Sequence, residues 1–233
     1  MIDWHSHILP AMDDGSKDVA ESISMLGMQT SQGVGTVIAT PHFYANDETV
    51  ASFIERRAKA FEALKEQLGE NGPHILLGAE VRYYQGISRL EGLKDLTIKG
   101  SKLLLLEMPM SVWTETMVRE LVELSGKNSV RIVLAHVERY IKLQKSAVWN
   151  RLLESGIMMQ VNASFFTSLA SRRKAITLLQ DGVVQFLGSD CHNLTTRPPV
   201  LGQAAEVIRK KLGNGFLDQM QEYGYSLLTA TIQ

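Results

Sequence analysis

Seven short apolar runs, separated by longer segments with helical spacing, most constrain how this chain of 233 residues can fold. Each run is rich in leucine or β-branched residues and lacks the polar/apolar alternation of a half-exposed strand. Such runs are typical of strands buried on both faces of a parallel sheet. In chain order they are MIDWH at 1, TVIAT at 36, HILLGAE at 74, LLLLE at 103, RIVLAH at 131, GIMMQVN at 156 and VVQFLGSD at 183.

The segments between these runs predict amphipathic helices. ETVASFIERRAKAFEALKEQL places its apolar residues on one helical face. Asp18, with Glu21 three residues later, resembles a helix-capping pair, and Gly33 stands where that helix can end. Strands alternating with helices predict parallel β/α units. Because no Gly/Ser-rich linker or low-complexity tract divides the chain, we expect one α/β domain over residues 1–233.

Two parallel architectures fit this pattern, an open doubly wound sheet and a closed barrel. An open sheet usually carries a glycine-rich phosphate loop after its first strand. Here the first run is followed by HSHILPAMDDG, which has neither a dinucleotide nor a nucleotide-triphosphate glycine signature. The positions of the polar residues favour the barrel, because barrel enzymes collect their active-site residues at the carboxyl ends of the strands.

Composition limits the partners and the compartment. The formal net charge of −1 gives no electrostatic case for binding nucleic acid or an anionic membrane surface. No run approaches the roughly 20 apolar residues of a membrane-spanning helix, and the N-terminal residues do not resemble a signal peptide. The single cysteine excludes an intramolecular disulfide, which suits a reducing compartment. We therefore expect a cytoplasmic protein that is not inserted in a membrane.

Residues of metal-ligand type close almost every apolar run. His5 and His7 stand two residues apart, a spacing that points both side chains the same way on a strand. Their spacing would let two imidazoles share one cation. The full set comprises His5 and His7 at the first run, His42 after the second, Glu80 and Glu107 at the ends of the third and fourth, His136 at the end of the fifth, and Asp190 with His192 at the seventh.

Each of these residues alone has an ordinary explanation, since a lone histidine is usually hydrogen-bonded and a lone glutamate is usually solvated. The set is harder to explain, because five of the six histidines, all but His74, lie at strand ends. Carboxylates that end apolar runs are costly to bury without a partner, and a divalent metal is a suitable one. Mixed imidazole and carboxylate ligands fit manganese, iron or zinc better than calcium or magnesium.

The stretch SDCHNLTTRPP, residues 189–199, also fits a different chemistry. Cys191 and Arg197 have the spacing of phosphatases that attack phosphate with a cysteine thiolate. Such a loop wraps its backbone around phosphate and normally needs glycine, whereas no glycine lies between these two residues. If the strand pleat persists, Asp190 and His192 point one way and Cys191 the other. The sequence therefore favours metal chemistry over a cysteine nucleophile.

Several motifs together resemble the polymerase-and-histidinol-phosphatase (PHP) superfamily, and within it the bacterial capsular-polysaccharide tyrosine phosphatases. They are DWHSHILPAMDDGSKD, TPHF, GAEVRYY, LLLEMP, AHVERY and SDCHNLTTRPP, and they span residues 1 to about 199 in family order. The resemblance implies a distorted seven-stranded TIM-like (β/α)7 barrel with up to three metals, commonly manganese. It implies one metal held by His5, His7, Glu80 and Asp190, a second by Glu80, Glu107 and His136, and a third by Asp14, His42 and His192.

The same resemblance assigns Arg139 and Arg197 to phosphate binding. The alternative for Arg139 is an ion pair with adjacent Glu138 or another surface acid. Four carboxylates and three divalent metals leave the site with a charge of about +2, which suits a phosphate-monoester dianion. Water activated between the metals would attack phosphorus in line, and the arginines would stabilise charge on the equatorial oxygens.

The implied activity is that of a protein-tyrosine phosphatase acting on the tail of a bacterial tyrosine kinase that controls capsule or exopolysaccharide synthesis. Rival functions are a histidinol-phosphate or other small-molecule phosphatase of the same fold, a barrel amidohydrolase, and a catalytically dead kinase-binding module. The runs that would carry an amidohydrolase's bridging lysine end in glutamates instead. Residues 214–233 depart from the family's usual ending, and a homo-oligomer is compatible with the sequence.

Overall fold

The computed structural model describes residues 1–69, 72–126 and 130–229. Within these ranges nine strand segments form in or directly beside the seven apolar runs. These are β1 (Ile2–Ser6), β2 (Thr36–Ala39), β3 (His42–Phe43), β4 (His74–Leu77), β5 (Glu80–Arg82), β6 (Leu103–Glu107), β7 (Arg131–Leu134), β8 (Met158–Asn162) and β9 (Phe186–Gly188).

Helices connect the strands, as the amphipathic spacing predicts. The side chain of Asp18 accepts a hydrogen bond from the backbone N–H of Glu21 and begins the first helix. The helices are α1 (Val19–Ser31), α2 (Val50–Leu68), α3 (Glu115–Ser125), α4 (Ser146–Glu154), α5 (Ser164–Thr167), α6 (Arg172–Gln180), α7 (Leu201–Leu212) and α8 (Asn214–Thr229). Within the described ranges, none combines the length and apolar character that crossing a bilayer requires.

All strand pairs are parallel, and their order follows the chain. One sheet has the order β1-β2-β4 and the other the order β3-β5-β6-β7-β8-β9. Thr40–Pro41 separates β2 from β3, a strand segment that begins just beyond the second apolar run, and Gly78–Ala79 interrupts the third run between β4 and β5. Pro41 has no backbone N–H to donate to a ladder, which suits a break at this point. The interruptions divide one curled sheet into two hydrogen-bonded pieces.

Backbone hydrogen bonds also join the first strand to the segment after the last. The N–H of Asp190 donates to the carbonyl of His5 at 2.8 Å, and the N–H of His7 donates to the carbonyl of Cys191 at 3.0 Å. Ser6 and Cys191 form an isolated parallel bridge. The structure therefore confirms an α/β fold with a parallel, curled sheet, in which the strand count of the expected barrel is altered by the two breaks.

Alternation along the strands separates an apolar interior from a polar end. In β6, Leu103 and Leu105 join a buried apolar cluster, whereas Glu107, two residues further on, belongs to a polar cluster at the carboxyl end. The interior cluster consists of Ile2, Trp4, Ile38, Ile98, Leu103, Leu105, Val133, Ala135, Met158, Phe186 and Leu228. The polar residues are thus carried on the same strands that the apolar interior holds in place.

Helix α8 closes the apolar interior. Leu228 of α8 contributes to the interior cluster, and Gly224 approaches Trp4 so closely that a Cβ atom there would lie 2.9 Å from the Trp4 Cζ2 atom. Most of the segment 214–233 that departs from the family's usual ending is therefore a packed helix. Its last four residues, 230–233, lie outside the described residues.

Candidate metal centre

The structure brings together all nine side chains predicted as metal ligands. They form four overlapping groups in which one donor atom from each residue lies within 4.8 Å of the others. The groups are His7, Asp14, His42 and His192; His5, His7 and Asp190; His5, Glu80 and His136; and His42, Glu80 and Glu107. His74, the one histidine left out of the prediction, is exposed and belongs to none of them.

Glu80 lies at the centre of these groups. Its Oε2 atom is 3.1 Å from His5 Nε2, 3.3 Å from His7 Nε2 and 3.0 Å from His42 Nδ1. Its Oε1 atom is 2.8 Å from His136 Nε2, the same atom that lies 3.7 Å from Glu107 Oε1. A carboxylate with both oxygens directed at different imidazoles is placed to bridge two cations.

The paired histidines of the first strand face the same point. The Nε2 atoms of His5 and His7 lie 3.1 Å apart, and they lie 3.6 Å and 3.5 Å from the Oδ1 atom of Asp190. Asp190 adopts a left-handed backbone with φ of 50°, and His136 does so with φ of 34°. Aspartate and histidine are enriched in this region, and departures of this kind cluster at functional sites.

The third group lies nearest to solvent. Asp14, which is 67% exposed, places its Oδ1 atom 3.5 Å from His42 Nε2 and 3.3 Å from His192 Nε2. His7 joins this group, whereas the resemblance assigned His7 to a different metal. Sequence spacing alone could not choose between Asp13 and Asp14; of the two, Asp14 is the one whose carboxylate lies against the Nε2 atoms of His42 and His192.

Three buried side-chain atoms that could bind a metal lack a hydrogen-bond partner in the described part of the chain. They are Glu80 Oε2, His42 Nδ1 and His192 Nε2. Buried polar atoms are normally hydrogen-bonded, because an unpaired one costs free energy. Glu80 Oε2 and His42 Nδ1 lie 3.0 Å apart yet are not aligned for hydrogen bonding. Imidazole and carboxylate donors in this arrangement fit divalent cations of the manganese, iron or zinc class.

The protonation states of Glu80 and His192 suit such ions. Burial alone would raise the pKa of Glu80, but the charge of His5, the hydrogen bond from His136 and the close imidazoles of His42 and His5 hold this pKa well below its usual range. Burial, with the charge of His7, lowers the pKa of His192 to about 4. At neutral pH these groups are therefore a carboxylate and a neutral imidazole, the forms that bind metal.

Both predicted arginines reach the centre. An Nη2 atom of each donates to Asp190 Oδ2, at 2.5 Å from Arg139 and 2.8 Å from Arg197. Their side chains are 34% and 38% exposed, so their remaining N–H groups can meet a ligand from solvent. The ion pair of Arg139 is thus with a residue of the cluster, not with a surface acid.

Cys191 points away from the cluster. Its side chain is fully buried, and the Nε2 atom of Gln29 donates to its Sγ atom at 3.6 Å. Burial raises the pKa of the Cys191 thiol, so the thiol stays protonated at neutral pH. Asp190 and His192 share the other side, with His192 Nδ1 3.7 Å from Asp190 Oδ1. The predicted division of these side chains is confirmed, although it arises from the left-handed turn at Asp190 and not from a continuous pleat.

Comparison with known proteins identifies the family. The model of the capsular polysaccharide synthesis family, CpsB/CapC, matches residues 1–224. The chain belongs to the CpsB/CapC family. This finding confirms the resemblance to bacterial capsular-polysaccharide tyrosine phosphatases that the motifs indicated.

Two relatives, both named tyrosine-protein phosphatases, match along most of their length. Tyrosine-protein phosphatase YwqE of Bacillus subtilis is 30% identical over 224 residues, which cover 92% of this chain and 86% of the relative. Tyrosine-protein phosphatase CpsB of Streptococcus agalactiae serotype III is 31% identical over 237 residues, which cover 94% of each chain.

A solved structure matches with a TM-score of 0.81 and 28% identity, and the match covers 98% of this chain and 94% of that chain. It belongs to crystal structures of YwqE from Bacillus subtilis and CpsB from Streptococcus pneumoniae, described as unique metal-dependent tyrosine phosphatases. The fold is therefore shared with metal-dependent enzymes of the CpsB/CapC family.

Sequence reasoning missed several residues that orient the CpsB/CapC-family cluster. Gln160 of β8 accepts a hydrogen bond from the backbone N–H of His136 at 2.7 Å, and the same oxygen lies 3.2 Å from His5 Nδ1. Asn162, two residues further along β8, donates to Asp190 Oδ2 at 2.7 Å. The sequence carries a signal for them, because polar residues at alternate positions of a buried strand need a partner, but the apolar neighbours in this run conceal it.

Asp13 is another residue whose role the sequence left open. Its Oδ2 atom lies 2.7 Å from His7 Nδ1 and accepts from the backbone N–H of His42 at 2.8 Å. Its Oδ1 atom accepts from the N–H of Gly15, where a Cβ atom would lie 2.4 Å from the carbonyl oxygen of His7. A carboxylate on the far nitrogen of a metal-binding histidine fixes the tautomer and directs Nε2 at the metal.

We expect Asp13→Asn to weaken metal binding about 10- to 100-fold, because the amide keeps the shape of the side chain but loses the charge that holds the His7 proton on Nδ1. Titration of the metal-free protein with manganese measures this affinity directly. Asp181→Asn, at an exposed position just after α6, is the matched control and should bind manganese normally. Unchanged affinity in Asp13→Asn would contradict the assigned role.

Proposed function

We propose that this chain is a metal-dependent protein-tyrosine phosphatase. The observation that carries the proposal is the position of Glu80 Oε2, which is buried, lacks a hydrogen bond within the described residues and lies within 3.3 Å of nitrogen atoms of His5, His7 and His42. Relatives of this chain are named tyrosine-protein phosphatases, which supports phosphotyrosine as the substrate class.

We propose that up to three divalent ions occupy the cluster and that manganese is the native metal, with iron or zinc as the alternatives. The proposed ligands are the nine side chains predicted from the sequence. Without cations, the carboxylates of the cluster would repel a phosphate dianion, so the metals are required for substrate binding as well as for chemistry. The chemistry that bound divalent cations supply is Lewis acidity and a lowered pKa of water.

Arg139 and Arg197 are the proposed phosphate-binding residues. Both guanidinium groups are held on the Asp190 carboxylate and remain about one-third exposed, so each has N–H groups free to donate to phosphate oxygens. Arginine suits this task because its planar fork donates to two oxygens at once. Tyr140, whose hydroxyl lies 3.2 Å from His136 Nδ1, holds that imidazole with its Nε2 atom towards Glu80.

Membership of the family supports a proposal for the substrate and its surroundings. We propose that the substrate is the phosphotyrosine tail of a bacterial tyrosine kinase that controls capsule or exopolysaccharide synthesis, and that the encounter takes place in the cytoplasm. We propose that the two sheets together form a distorted seven-stranded barrel. This barrel belongs to a single PHP-type domain over residues 1–233. A phenol has a pKa of about 10, so its phenolate leaves phosphorus more easily than an alkoxide would.

We expect hydrolysis of a phosphotyrosine peptide to depend on metal. Removal of metal with a chelator should lower the rate at least about 100-fold, and added manganese should restore it, because the pKa of water falls from 15.7 to about 7 only when metal is bound. The measurement is phosphate release together with metal content before and after chelation. Loss of metal with undiminished activity would refute the proposed mechanism.

The same assay separates the rival functions. Histidinol phosphate, tested at matched metal and concentration, should be hydrolysed at least about tenfold more slowly than the peptide, since its leaving group is an alcohol. A higher rate on histidinol phosphate would favour a small-molecule phosphatase of the same fold. Absence of hydrolysis with manganese, iron and zinc alike would favour a catalytically dead kinase-binding module.

A further inference from the structure

Tyr44 carries an aromatic ring to the rim of the metal centre. It follows β3 directly, and its ring centroid lies 5.4 Å from that of His42, with 31° between the planes. Together with Met12, Asp14 and His42 it lines a cavity of about 350 Å³. Two of these residues are proposed metal ligands, so the cavity leads to the place where phosphate would bind.

The position of Tyr44 is not explained by packing into the core. The preceding residue, Phe43, is fully buried and packs against Phe53 with ring centroids 5.2 Å apart. Tyr44 instead remains 37% exposed. Its hydroxyl makes no hydrogen bond within the described residues, and it is held through its carbonyl, which accepts from the N–H groups of Asp47 and Glu48. An aromatic face is therefore presented to the cavity on a fixed backbone.

We propose that Tyr44 is the specificity-determining residue that packs against the phenyl ring of phosphotyrosine, a proposal that rests on the proposed function. A single bridging oxygen joins that phenyl ring to phosphorus, so a substrate whose phosphate lies beside His42 and Asp14 brings its ring next to Tyr44. Aromatic rings attract one another in offset or tilted arrangements at centroid distances of about 4.5–7 Å. An aliphatic phosphate ester lacks this contact.

The contact is made by the ring and not by the hydroxyl. Tyr44→Phe keeps the ring, and Tyr44→Ala removes it. Tyr225→Ala is the matched control, because Tyr225 is similarly exposed, at 42%, but stands on α8, where its hydroxyl lies 3.4 Å from the Thr36 side chain at the start of β2. Because both tyrosines are exposed, neither substitution to alanine removes a side chain from the buried core. Metal content verifies that His42 is intact in each variant.

The test is calorimetric binding of phenylphosphonate and methylphosphonate to the manganese-loaded protein. The wild type should prefer phenylphosphonate, and Tyr44→Ala should lose about fivefold to tenfold of that preference with unchanged affinity for methylphosphonate. Tyr44→Phe and Tyr225→Ala should behave as the wild type does.

Three outcomes would overturn the assignment of Tyr44 while leaving the proposed function in place. In the first, Tyr44→Ala keeps the full preference for phenylphosphonate; in the second, Tyr44→Phe loses as much as Tyr44→Ala. In the third, Tyr44→Ala binds both phosphonates equally more weakly and holds less metal, which would mean that Tyr44 supports His42 and does not contact the phenyl ring. If the wild type neither binds a phosphonate nor hydrolyses phosphotyrosine, the proposed function itself fails, and the role of Tyr44 fails with it.

Discussion

Glu80→Gln should lower kcat/KM for a phosphotyrosine peptide by at least about 1,000-fold and remove at least one bound metal per chain. The carboxylate is shared among His5, His42 and His136, with oxygen-to-nitrogen distances of 2.8–3.1 Å. Glutamine has nearly the same shape but replaces one oxygen by an amide nitrogen, which does not bind a cation. Because bound metal supplies several kcal/mol of transition-state stabilisation, losing a bridging ligand has an effect of this size.

Glu120→Gln is the matched control for this substitution. Glu120 is also buried, and it accepts hydrogen bonds from the Tyr83 hydroxyl at 2.8 Å and the Gly86 N–H at 3.0 Å. It lies outside the four candidate metal-binding groups. We expect this variant to be less stable to heat yet to keep its metal content and its kcat/KM. A Glu80→Gln protein with a full complement of metal and normal activity would exclude Glu80 as a bridging ligand.

Much of the fold is predictable because each strand is a local apolar run whose burial requires no distant information. The breaks in the second and third strands are harder to predict. Pro41 is visible in the sequence, but a proline also occurs at strand edges, and the effect of Gly78 depends on its neighbours. A Cβ atom at Gly78 would lie 3.3 Å from Ile98 and 3.4 Å from Thr40, contacts that exist only after the sheet has formed.

The candidate site is predictable in its members and less so in its arrangement. Strand ends of a parallel sheet converge, so residues such as Glu107 and His136 can be gathered from the sequence without a structure. Their grouping depends on side-chain directions. His7 illustrates this point, because its Nδ1 atom is occupied by Asp13, and its Nε2 atom then faces both Asp190 and the more exposed group around Asp14.

The second large effect is expected at Asp190. Asp190→Asn should lower kcat/KM at least about 1,000-fold, because its carboxylate faces His5 and His7 through one oxygen and receives both arginines on the other. Its metal content should fall as well. The measurements are metal analysis and phosphatase kinetics at several manganese concentrations, which separate weakened metal binding from a slower chemical step.

The adjacent residue provides the decisive comparison. Cys191→Ser should keep kcat/KM within about threefold of the wild type, since the thiol is buried and protonated, and Gln29 can donate to the new hydroxyl as it does to sulfur. The substitution should instead lower the free energy of unfolding by about 1–3 kcal/mol, because the buried hydroxyl is imperfectly hydrogen-bonded. A thiolate mechanism predicts the opposite pair of results: an inactive Cys191→Ser with normal metal content and an active Asp190→Asn. Neighbouring side chains on opposite sides of one turn thus distinguish the two phosphatase chemistries that the same stretch of sequence could encode.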